Sequence, residues 1–332
     1  MKKLKIGLIG CGYMMKNHMN GVRTFDDVEV VAVADPRPER TKDMMEFTGA
    51  TRSYTSHKEL YENEDNLDAV YIAVEPTAHN GIEETAIQRG IPFMVEKPMT
   101  IDMAQGKAIS DAVTAKGLVT SVGFQDRYLD IVSRTKAELE GMDVGMVYGS
   151  WIGGVPQVWW WMQKSTCGGQ LLEQNIHLVD LLRYFFGEAD SVYATCGRGL
   201  VNPSEFPDTL PKYDTDDFST ATFTFKSGVV ANLMSGCFVQ AGNQFPNGLN
   251  IIGRKQSICY TLRNNIVIKT ADNQVKIDKA NNNQAEHSRA FIDAIHSGDP
   301  TAVRSPYPDA FKSLLLADAA NRSMESGSVI RL

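Results

Sequence analysis

The sequence predicts two successive domains: a doubly wound α/β domain with a parallel sheet in residues 1–124, and an α+β domain with a mainly antiparallel, open-faced sheet in residues 125–332. In the first part, short and almost purely apolar runs alternate with helix-length segments, which is typical of a parallel sheet covered by helices. A glycine turn joins the first such run to the first helix. Beyond residue 124, short strands follow one another through hairpin turns.

The elements of the first domain follow from this alternation. An apolar strand at 5–9 leads through Gly10-Cys11-Gly12 into a helix at 13–23, and a second strand covers 28–34. The other predicted strands of this domain are 69–74, 93–96 and 119–123, and its other predicted helices are 38–48, 78–89 and 101–116.

The sequence pattern of the second domain differs from that of the first, because apolar and polar residues alternate in place of continuous apolar runs. Gly187 is expected to end a helix at 169–186, and turns are expected at 226–228 and 272–273. The other predicted helices are 128–139, 285–297 and 307–326, and the predicted strands are 145–154, 190–197, 217–225, 228–237, 249–252, 257–262, 266–270 and 275–278.

The composition narrows the possible functions. The 332 residues are 43 % hydrophobic and carry 33 Lys plus Arg against 40 Asp plus Glu, a net charge of −7. This balance offers no basic surface for a phosphate backbone, so we expect no nucleic-acid partner. No stretch approaches the ~20 apolar residues of a membrane-spanning helix, so we expect no membrane partner. The five cysteines lack a C-x-x-C pair, which favours reduced thiols and a cytoplasmic location.

A glycine turn and an acidic residue mark a candidate nucleotide site. Gly10 and Gly12 open the first helix, and Asp35 ends the second strand. The glycines allow a tight turn and let backbone N–H groups approach a pyrophosphate, while the helix start at Tyr13 and Met14 adds partial positive charge. Asp35 is placed to accept hydrogen bonds from a ribose diol. This context predicts a Rossmann dinucleotide site; the alternative is a glycine turn that only joins strand to helix.

The charge of Asp35 favours NAD as the cofactor. A carboxylate at this position repels the 2′-phosphate that distinguishes NADP from NAD. Arg37, two residues later, is able to neutralise such a phosphate. We therefore expect NAD, with NADP as the alternative.

Glu96-Lys97-Pro98 lies at the carboxyl end of a predicted parallel strand, the edge at which ligands bind in such folds. A lysine that leaves a buried strand beside a cofactor is partly desolvated, which moves its pKa toward the range useful for proton transfer. The alternative is a surface lysine paired with Glu96.

A second group of titratable residues lies in the helix predicted at 169–186. Glu173, His177 and Asp180 fall within a sector of about 60° on a helix with 100° per residue. Tyr184 shares this sector, and apolar residues occupy the rest of the helix. Carboxylates about one turn before and after a histidine suggest a general acid/base with an orienting partner. A metal site is the alternative, but no second His or Cys cluster has ligand spacing, and we expect no metal.

Three consecutive tryptophans, at residues 159–161, precede this helix by a short loop. They cannot all face one core, so we expect at least one to line a cleft, where it would stack on a sugar ring or a nicotinamide. The alternative is one buried tryptophan with the others packed across a subunit contact.

Together these motifs resemble the Gfo/Idh/MocA oxidoreductases. The resemblance rests on the glycine turn, the acidic end of the second strand, Glu96-Lys97-Pro98, the G-G-x-L-x-E-x-x-x-H-x-x-D run of residues 168–180 and the V-G-F-x-x-R-Y run of residues 122–128. Each motif is weak alone, but jointly they are specific and span nearly the whole chain.

The resemblance implies hydride transfer between NAD and a secondary alcohol of a sugar, sugar derivative or cyclitol. Lys97 matches the lysine that binds the reacting hydroxyl and assists proton transfer, and His177 matches the histidine acid/base. Glu173 stands where many members have aspartate, and Asp180 would orient His177. The expected cofactor contacts are Gly10, Gly12, Tyr13, Met14, Asp35, Arg37, Val74, His79, Glu96 and Lys97. The expected substrate contacts are Lys97, Gln125, Trp160, Trp161, Glu173 and His177.

The sequence also leaves other possibilities open. Residues 73–79 read A-V-E-P-x-x-H where the family more commonly has A-T-P-N-x-x-H, so Glu75 is an unusual acid near the expected nicotinamide ribose. An NAD-dependent glycosidase that uses transient oxidation is an alternative function, and a dinucleotide-sensing regulatory protein is another. We expect a homo-oligomer, a dimer or a tetramer, because the family's open sheet face commonly packs against a partner.

Overall fold

The computed structural model describes residues 3–240 and 246–332. Its contacts divide the chain into two compact units, the first made of Met1–Tyr128 with Asn282–Phe311, and the second of Leu129–Asn281 with Lys312–Leu332. The segment 282–311 thus groups with the first unit by its contacts. The assignment of separate functions to residues 1–124 and 125–332 stays a prediction.

The helices and strands are numbered in chain order. The strands are β1 Leu4–Ile9, β2 Val28–Ala34, β3 Arg52–Tyr54, β4 Ala69–Ile72, β5 Phe93–Val95, β6 Thr120–Val122, β7 Val144–Gly153, β8 Ala189–Gly197, β9 Phe218–Phe225, β10 Val230–Cys237, β11 Gly248–Gly253, β12 Gln256–Thr261, β13 Asn265–Thr270, β14 Gln274–Asp278 and β15 Ile330–Arg331. The α-helices are α1 Tyr13–Val22, α2 Pro38–Thr48, α3 His57–Asn63, α4 Ile82–Arg89, α5 Met103–Lys116, α6 Asp130–Leu139, α7 Lys164–Cys167, α8 Gln170–Glu173, α9 Ile176–Phe186, α10 Asn283–Ser297 and α11 Tyr307–Ser326.

The first unit contains a six-stranded sheet in the order β3-β2-β1-β4-β5-β6, with every pair parallel. The strand order reverses between β1 and β4, which is where ligands bind in open parallel sheets. The strands β1, β2, β4 and β5 are largely apolar because helices cover both faces. The core includes Leu8 from β1, Met15 from α1 and Phe291 from α10. The predicted doubly wound parallel sheet is confirmed.

The second unit contains a nine-stranded sheet in the order β14-β13-β12-β11-β7-β10-β9-β8-β15. Among the described strands, β7 and β10 pair in parallel and the other neighbours are antiparallel, so the prediction of a mainly antiparallel sheet is confirmed. Burial alternates along β9, where Ala221, Phe223 and Phe225 point into the core. Exposed hydrophobic side chains on other strands of the sheet include Met146, Tyr148, Tyr193, Val230 and Ile252.

The single helix predicted at 169–186 is wrong, because the chain forms α8 and α9 with a break between them. Asn175 causes this break. Its side chain donates to the backbone oxygen of Met234 on β10 at 3.1 Å, and its own carbonyl accepts the first backbone hydrogen bonds of α9. Gly187 ends α9 as predicted, donating its N–H to Arg183 O.

Two short elements of the first unit, β3 and α3, were not predicted. The strand β3 has three residues, none of them fully buried, so it lacks the apolar run that marks the other strands. The start of α3 is capped by Ser56, whose hydroxyl accepts the backbone N–H of Glu59. No helix among the described residues combines the length and apolar character that a bilayer crossing requires.

Candidate active site

The glycine turn after β1 requires a residue without a side chain at position 10. Gly10 has a φ of +84°, and a Cβ built there would lie 2.2 Å from the backbone oxygen of Ala73, which follows β4. The N–H of Gly10 donates to Ala34 O at the end of β2, at 2.8 Å. The turn therefore brings the ends of three neighbouring strands into contact.

The start of α1 is open toward a ligand. Gly12 is the N-cap, without a side-chain hydrogen bond and without an acidic residue in the first turn. A Cβ at Gly12 would have a single described neighbour within 4 Å, the Arg40 guanidinium at 3.5 Å. Tyr13 is 79 % exposed. Uncapped N–H groups and the partial positive charge of a helix start bind anions, so these residues fit the pyrophosphate of NAD.

Asp35 connects the end of β2 to this turn. Its Oδ2 accepts the backbone N–H of Cys11, and its Oδ1 accepts both the backbone N–H and the Nε–H of Arg37, each at 3.0 Å. Burial raises the pKa of Asp35, but the hydrogen bonds from Arg37 and Cys11 outweigh it and hold this pKa below its usual value. Asp35 is therefore ionised and held in place at the position expected for a ribose contact.

Arg40, on α2, was missed by the sequence analysis. Its guanidinium lies beside Gly12 and contributes positive charge near Cys11 in the turn. Hydrophobic periodicity does not indicate Arg40, because its contact with Gly12 depends on how α2 packs beside the glycine turn. Two cations thus lie at the glycine turn: Arg37, which bonds Asp35, and Arg40, which lies beside Gly12.

The loop after β4 holds two further expected cofactor contacts. Val74 lies beside the turn, since its Cγ1 would be 3.0 Å from a Cβ at Gly10. His79 is buried, and its Nδ1 lies 2.5 Å from Glu83 Oε1 on α4. Burial lowers the pKa of His79, but the contact with Glu83 outweighs it and leaves this pKa above the ordinary histidine value. The roles of Val74 and His79 toward a cofactor stay predictions.

Glu96 and Lys97 follow β5 at the same carboxyl edge of the parallel sheet. Glu96 is buried at 6 % exposure, and its carboxylate contacts His18 of α1 and the backbone N–H of Lys97. Lys97 is half-buried, and a cis peptide bond joins it to Pro98. Glu96 is therefore not a surface group, while the role of Lys97, catalytic or paired with Glu96, stays a prediction. His18 belongs to none of the motifs recognised in the sequence.

Gln125 lies in a short 3₁₀ helix, Gln125–Tyr128, that follows β6 in the first unit. Its side chain is 4 % exposed, and its backbone oxygen accepts a hydrogen bond from Asn283 Nδ2 at 3.2 Å. Its expected contact with substrate stays a prediction.

The second unit buries all three candidate residues of the glycine-rich motif. Glu173 ends α8, whereas His177 and Asp180 lie one turn apart on α9, with exposed fractions of 4 %, 4 % and 1 %. The break between the helices means that a helical stripe no longer relates Glu173 to His177. His177 and Asp180, three residues apart on one helix, still share a face.

Two further side chains hold this group. The ring of His177 stacks on Trp151 of β7, with 5.9 Å between centroids, and the Ser313 hydroxyl donates to Asp180 Oδ1 at 2.6 Å. Neither Trp151 nor Ser313 belongs to a motif recognised in the sequence. Trp151 lies in a predicted strand, but its partner is distant in sequence and no local pattern indicates it.

The three consecutive tryptophans form the 3₁₀ helix Trp159–Met162. Trp161 Nε1 donates to Gln170 Oε1 of α8 at 3.0 Å, so this tryptophan is held against the helix that carries Glu173. Trp159 and Trp160 pack edge to face at 6.2 Å, and Trp159 is 40 % exposed. Substrate contacts of Trp160 and Trp161 stay predictions.

The part of the chain that the structure describes contains no group of three or more His, Cys, Asp or Glu side chains that could hold a metal ion. The residues of the first unit instead suit an organic cofactor with a charged pyrophosphate and a ribose diol. A parallel sheet with a strand-order reversal, an open helix start and a fixed acidic residue define the class of this unit as a dinucleotide-binding α/β domain.

Family comparison agrees with this class. Residues 4–124 match the profile described as the oxidoreductase family with an NAD-binding Rossmann fold, and residues 143–259 match the profile of the Gfo/Idh/MocA C-terminal domain. The chain belongs to the Gfo/Idh/MocA family of oxidoreductases.

Individual relatives cover nearly the full chain. Myo-inositol 2-dehydrogenase of Thermotoga maritima is 24 % identical, with 99 % of this chain and 98 % of that protein covered. The NAD(+)-dependent scyllo-inositol 2-dehydrogenase of Bacillus subtilis is 25 % identical, with 99 % and 96 % covered. Among solved structures, a levoglucosan dehydrogenase in complex with NADH and levoglucosan has a TM-score of 0.88 at 22 % identity and covers 99 % of both chains. That likeness supports the fold.

Proposed function

We propose that this protein is an NAD-dependent dehydrogenase that transfers hydride between the cofactor and a secondary alcohol of a sugar, sugar derivative or cyclitol. The observation that carries the proposal is the position of Lys97. It leaves β5 at the same sheet edge as the glycine turn, with β4 alone between β5 and β1 in the strand order. Lys97 thus lies at the dinucleotide-binding edge of the sheet.

The protein's residues contribute binding and proton transfer. When bound, NAD supplies the hydride acceptor. Gly12 and the start of α1 bind its pyrophosphate, and Asp35 accepts hydrogen bonds from its adenosine ribose. Lys97 Nζ binds the reacting hydroxyl oxygen and stabilises the charge that develops there.

Residues of the glycine-rich motif complete the proposed chemistry. The imidazole of His177 accepts the hydroxyl proton, as the family resemblance implies. Asp180 orients His177, and Glu173 binds a neighbouring hydroxyl of the substrate. The burial of these three side chains and the stacking of His177 on Trp151 support a fixed arrangement, because buried polar side chains keep few alternative rotamers.

The substrate class is proposed from the relatives. Their names specify myo-inositol, scyllo-inositol and levoglucosan, which all carry secondary hydroxyls on six-membered rings.

The test is the appearance of NADH absorbance when the protein is mixed with NAD and each member of a panel of cyclitols, anhydrosugars, hexoses and glycosides, repeated with NADP. We expect saturable NADH formation with at least one polyol, and weaker activity with NADP because Asp35 is ionised. Release of an aglycone without net NADH would establish the glycosidase instead. Binding of NADH without turnover of any compound would indicate a regulatory sensor.

We also propose that the protein is a homo-oligomer, with the open face of the nine-stranded sheet as its interface. Met146 and Tyr148, neighbours on one side of β7, are 52 % and 44 % exposed, and Val230 on β10 is 40 % exposed. Hydrophobic side chains clustered on one sheet face are typical of an interface.

Light scattering is expected to give a mass of about two or four times the 36.7 kDa of one chain. The double substitution Met146→Glu with Tyr148→Glu should lower this mass, because it places four charges in each dimer contact. The control Leu200→Glu changes an exposed residue outside the sheet and should leave the mass unchanged. A wild-type particle of one chain would refute the proposal.

A cytoplasmic location is proposed from the cysteines. All five are free thiols, and Cys11, Cys167 and Cys237 are buried. Burial raises the pKa of the Cys11 thiol to about 12, so this thiol stays protonated within the glycine turn. Unpaired thiols are typical of proteins in a reducing compartment.

A further inference from the structure

A buried hydrogen bond connects the first helix of the first unit to the residue before Lys97. His18 of α1 is fully buried, and its Nε2 lies 2.5 Å from Glu96 Oε1. The other carboxylate oxygen of Glu96 accepts the backbone N–H of Lys97 at 3.0 Å. The carboxylate of Glu96 thus accepts hydrogen bonds from the side chain of His18 and from the backbone amide of Lys97, the proposed catalytic lysine.

The fold provides a closely fitted space for this carboxylate. A Cβ built on Gly123, just after β6, would lie 2.7 Å from Glu96 Oε2 and 2.8 Å from both Cδ and Oε1. Glycine at this position therefore lets the carboxylate lie against the backbone. The imidazole of His18 is itself enclosed, edge to face, by the rings of Tyr71 and His287 at 6.3 and 6.4 Å.

The surroundings of Glu96 and His287 determine whether each of these side chains is charged. Burial raises the pKa of Glu96, but the hydrogen bond and charge of His18, together with Lys97, outweigh it and hold this pKa below its usual value. An ionised carboxylate accepts only, so His18 Nε2–H is the donor. Burial, together with the charge of His18, lowers the pKa of His287 to about 3, so this second histidine stays neutral.

We propose that His18 is a positioning residue: by holding the carboxylate of Glu96, it fixes the backbone amide of Lys97 and so sets the position from which Nζ acts. Without His18, Glu96 would lose a donor in a buried site and would turn toward another partner. The Lys97 amide would then lose its acceptor in the present position. The effect on turnover rests on the proposed dehydrogenase function, whereas the effect on the position of Lys97 does not.

The first test measures Lys97 without any substrate. Trinitrobenzenesulfonate modifies lysine side chains, and peptide mass spectrometry follows the rate of modification at Lys97. This rate is divided by the rate at Lys107, an exposed lysine of α5. We expect His18→Leu to change this ratio by at least about fivefold, because small displacements of a positioned group have large effects on reactivity. His18→Gln should stay within about twofold, because its amide N–H replaces the Nε2 donor.

The second test uses turnover with the polyol that the substrate panel identifies. The kcat of His18→Leu should fall at least about tenfold, with the NADH dissociation constant within about threefold of the wild-type value, and His18→Gln should recover most of the loss. If the panel yields no substrate, the proposed function fails while the Lys97 measurement still decides the role of His18.

The matched control is Met19→Ala, which truncates an equally buried side chain of the same helix that packs in the hydrophobic core. An equal change in the Lys97 ratio in this control would reduce His18 to a packing residue and overturn the proposal. An unchanged ratio of the Lys97 and Lys107 modification rates in His18→Leu would also overturn the proposal. If thermal unfolding shows that His18→Leu does not fold, His18→Asn replaces it, because the asparagine amide is too short to reach Glu96 from the same backbone position.

Discussion

Replacing Lys97 with alanine should lower kcat by about 10³-fold, in the range that positioned proton-transfer and charge-stabilising groups supply. Lys97 leaves β5 at the carboxyl edge of the parallel sheet, where we propose that it binds the reacting hydroxyl. The NADH dissociation constant should change by less than about threefold, because Gly12, Asp35 and the start of α1 hold the cofactor independently. Stopped-flow absorbance and NADH fluorescence titration measure the two quantities.

The control for this prediction is Lys107→Ala on α5, which removes an exposed lysine from the same unit. Its kcat should match that of the wild-type protein, since its described partner is Asp111 on the same helix. Full kcat in the Lys97 variant with a verified substrate would refute the assignment of Lys97.

Gly10→Ala should abolish NADH binding and destabilise the protein by about 2–4 kcal/mol, through backbone strain and steric overlap. The φ of +84° disfavours any side chain, and the added Cβ would lie 2.2 Å from Ala73 O. The ends of β1 and β4 would have to separate, which displaces the start of α1 from the pyrophosphate position. Urea unfolding and NADH fluorescence titration measure the outcome.

Gly49→Ala supplies a matched comparison, because Gly49 has nearly the same φ of +81° but open space around the Cβ position. It should cost only the left-handed backbone strain, about 1–2 kcal/mol, and leave NADH binding intact. Equal effects of the two substitutions would mean that the contact with Ala73 is unimportant and that strain alone explains the loss.

Most of the parallel sheet was predictable because β1, β2, β4 and β5 are largely apolar runs. The glycine turn was predictable because tight βα turns need particular residues. The break at Asn175 was not predictable, since it depends on a hydrogen bond to Met234, a residue far along the chain. Hydrophobic periodicity depends only on the residues of the helix itself. It therefore does not indicate a hydrogen bond between a helix side chain and a residue of a neighbouring strand.

The same limit applies to the candidate site. Asp35 and Lys97 were predictable because each follows a strand at the ligand-binding edge. His18 lies on the buried face of α1, where an apolar environment is expected, and its partner Glu96 is 78 residues away. Arg40 and Trp151 likewise became apparent only through distances. Motifs thus indicate candidate ligand-binding groups, whereas the side chains that hold these groups depend on tertiary packing.

The return of α10 to the first unit has a consequence for synthesis of the chain. Phe291 and Ile292 of α10 belong to the same hydrophobic core as Leu8 and Met15. The nucleotide-binding unit is therefore interrupted by residues 129–281, which behave as an insertion between two of its segments. A ribosome must translate the whole inserted unit before this core can close, so the half that begins first is completed late.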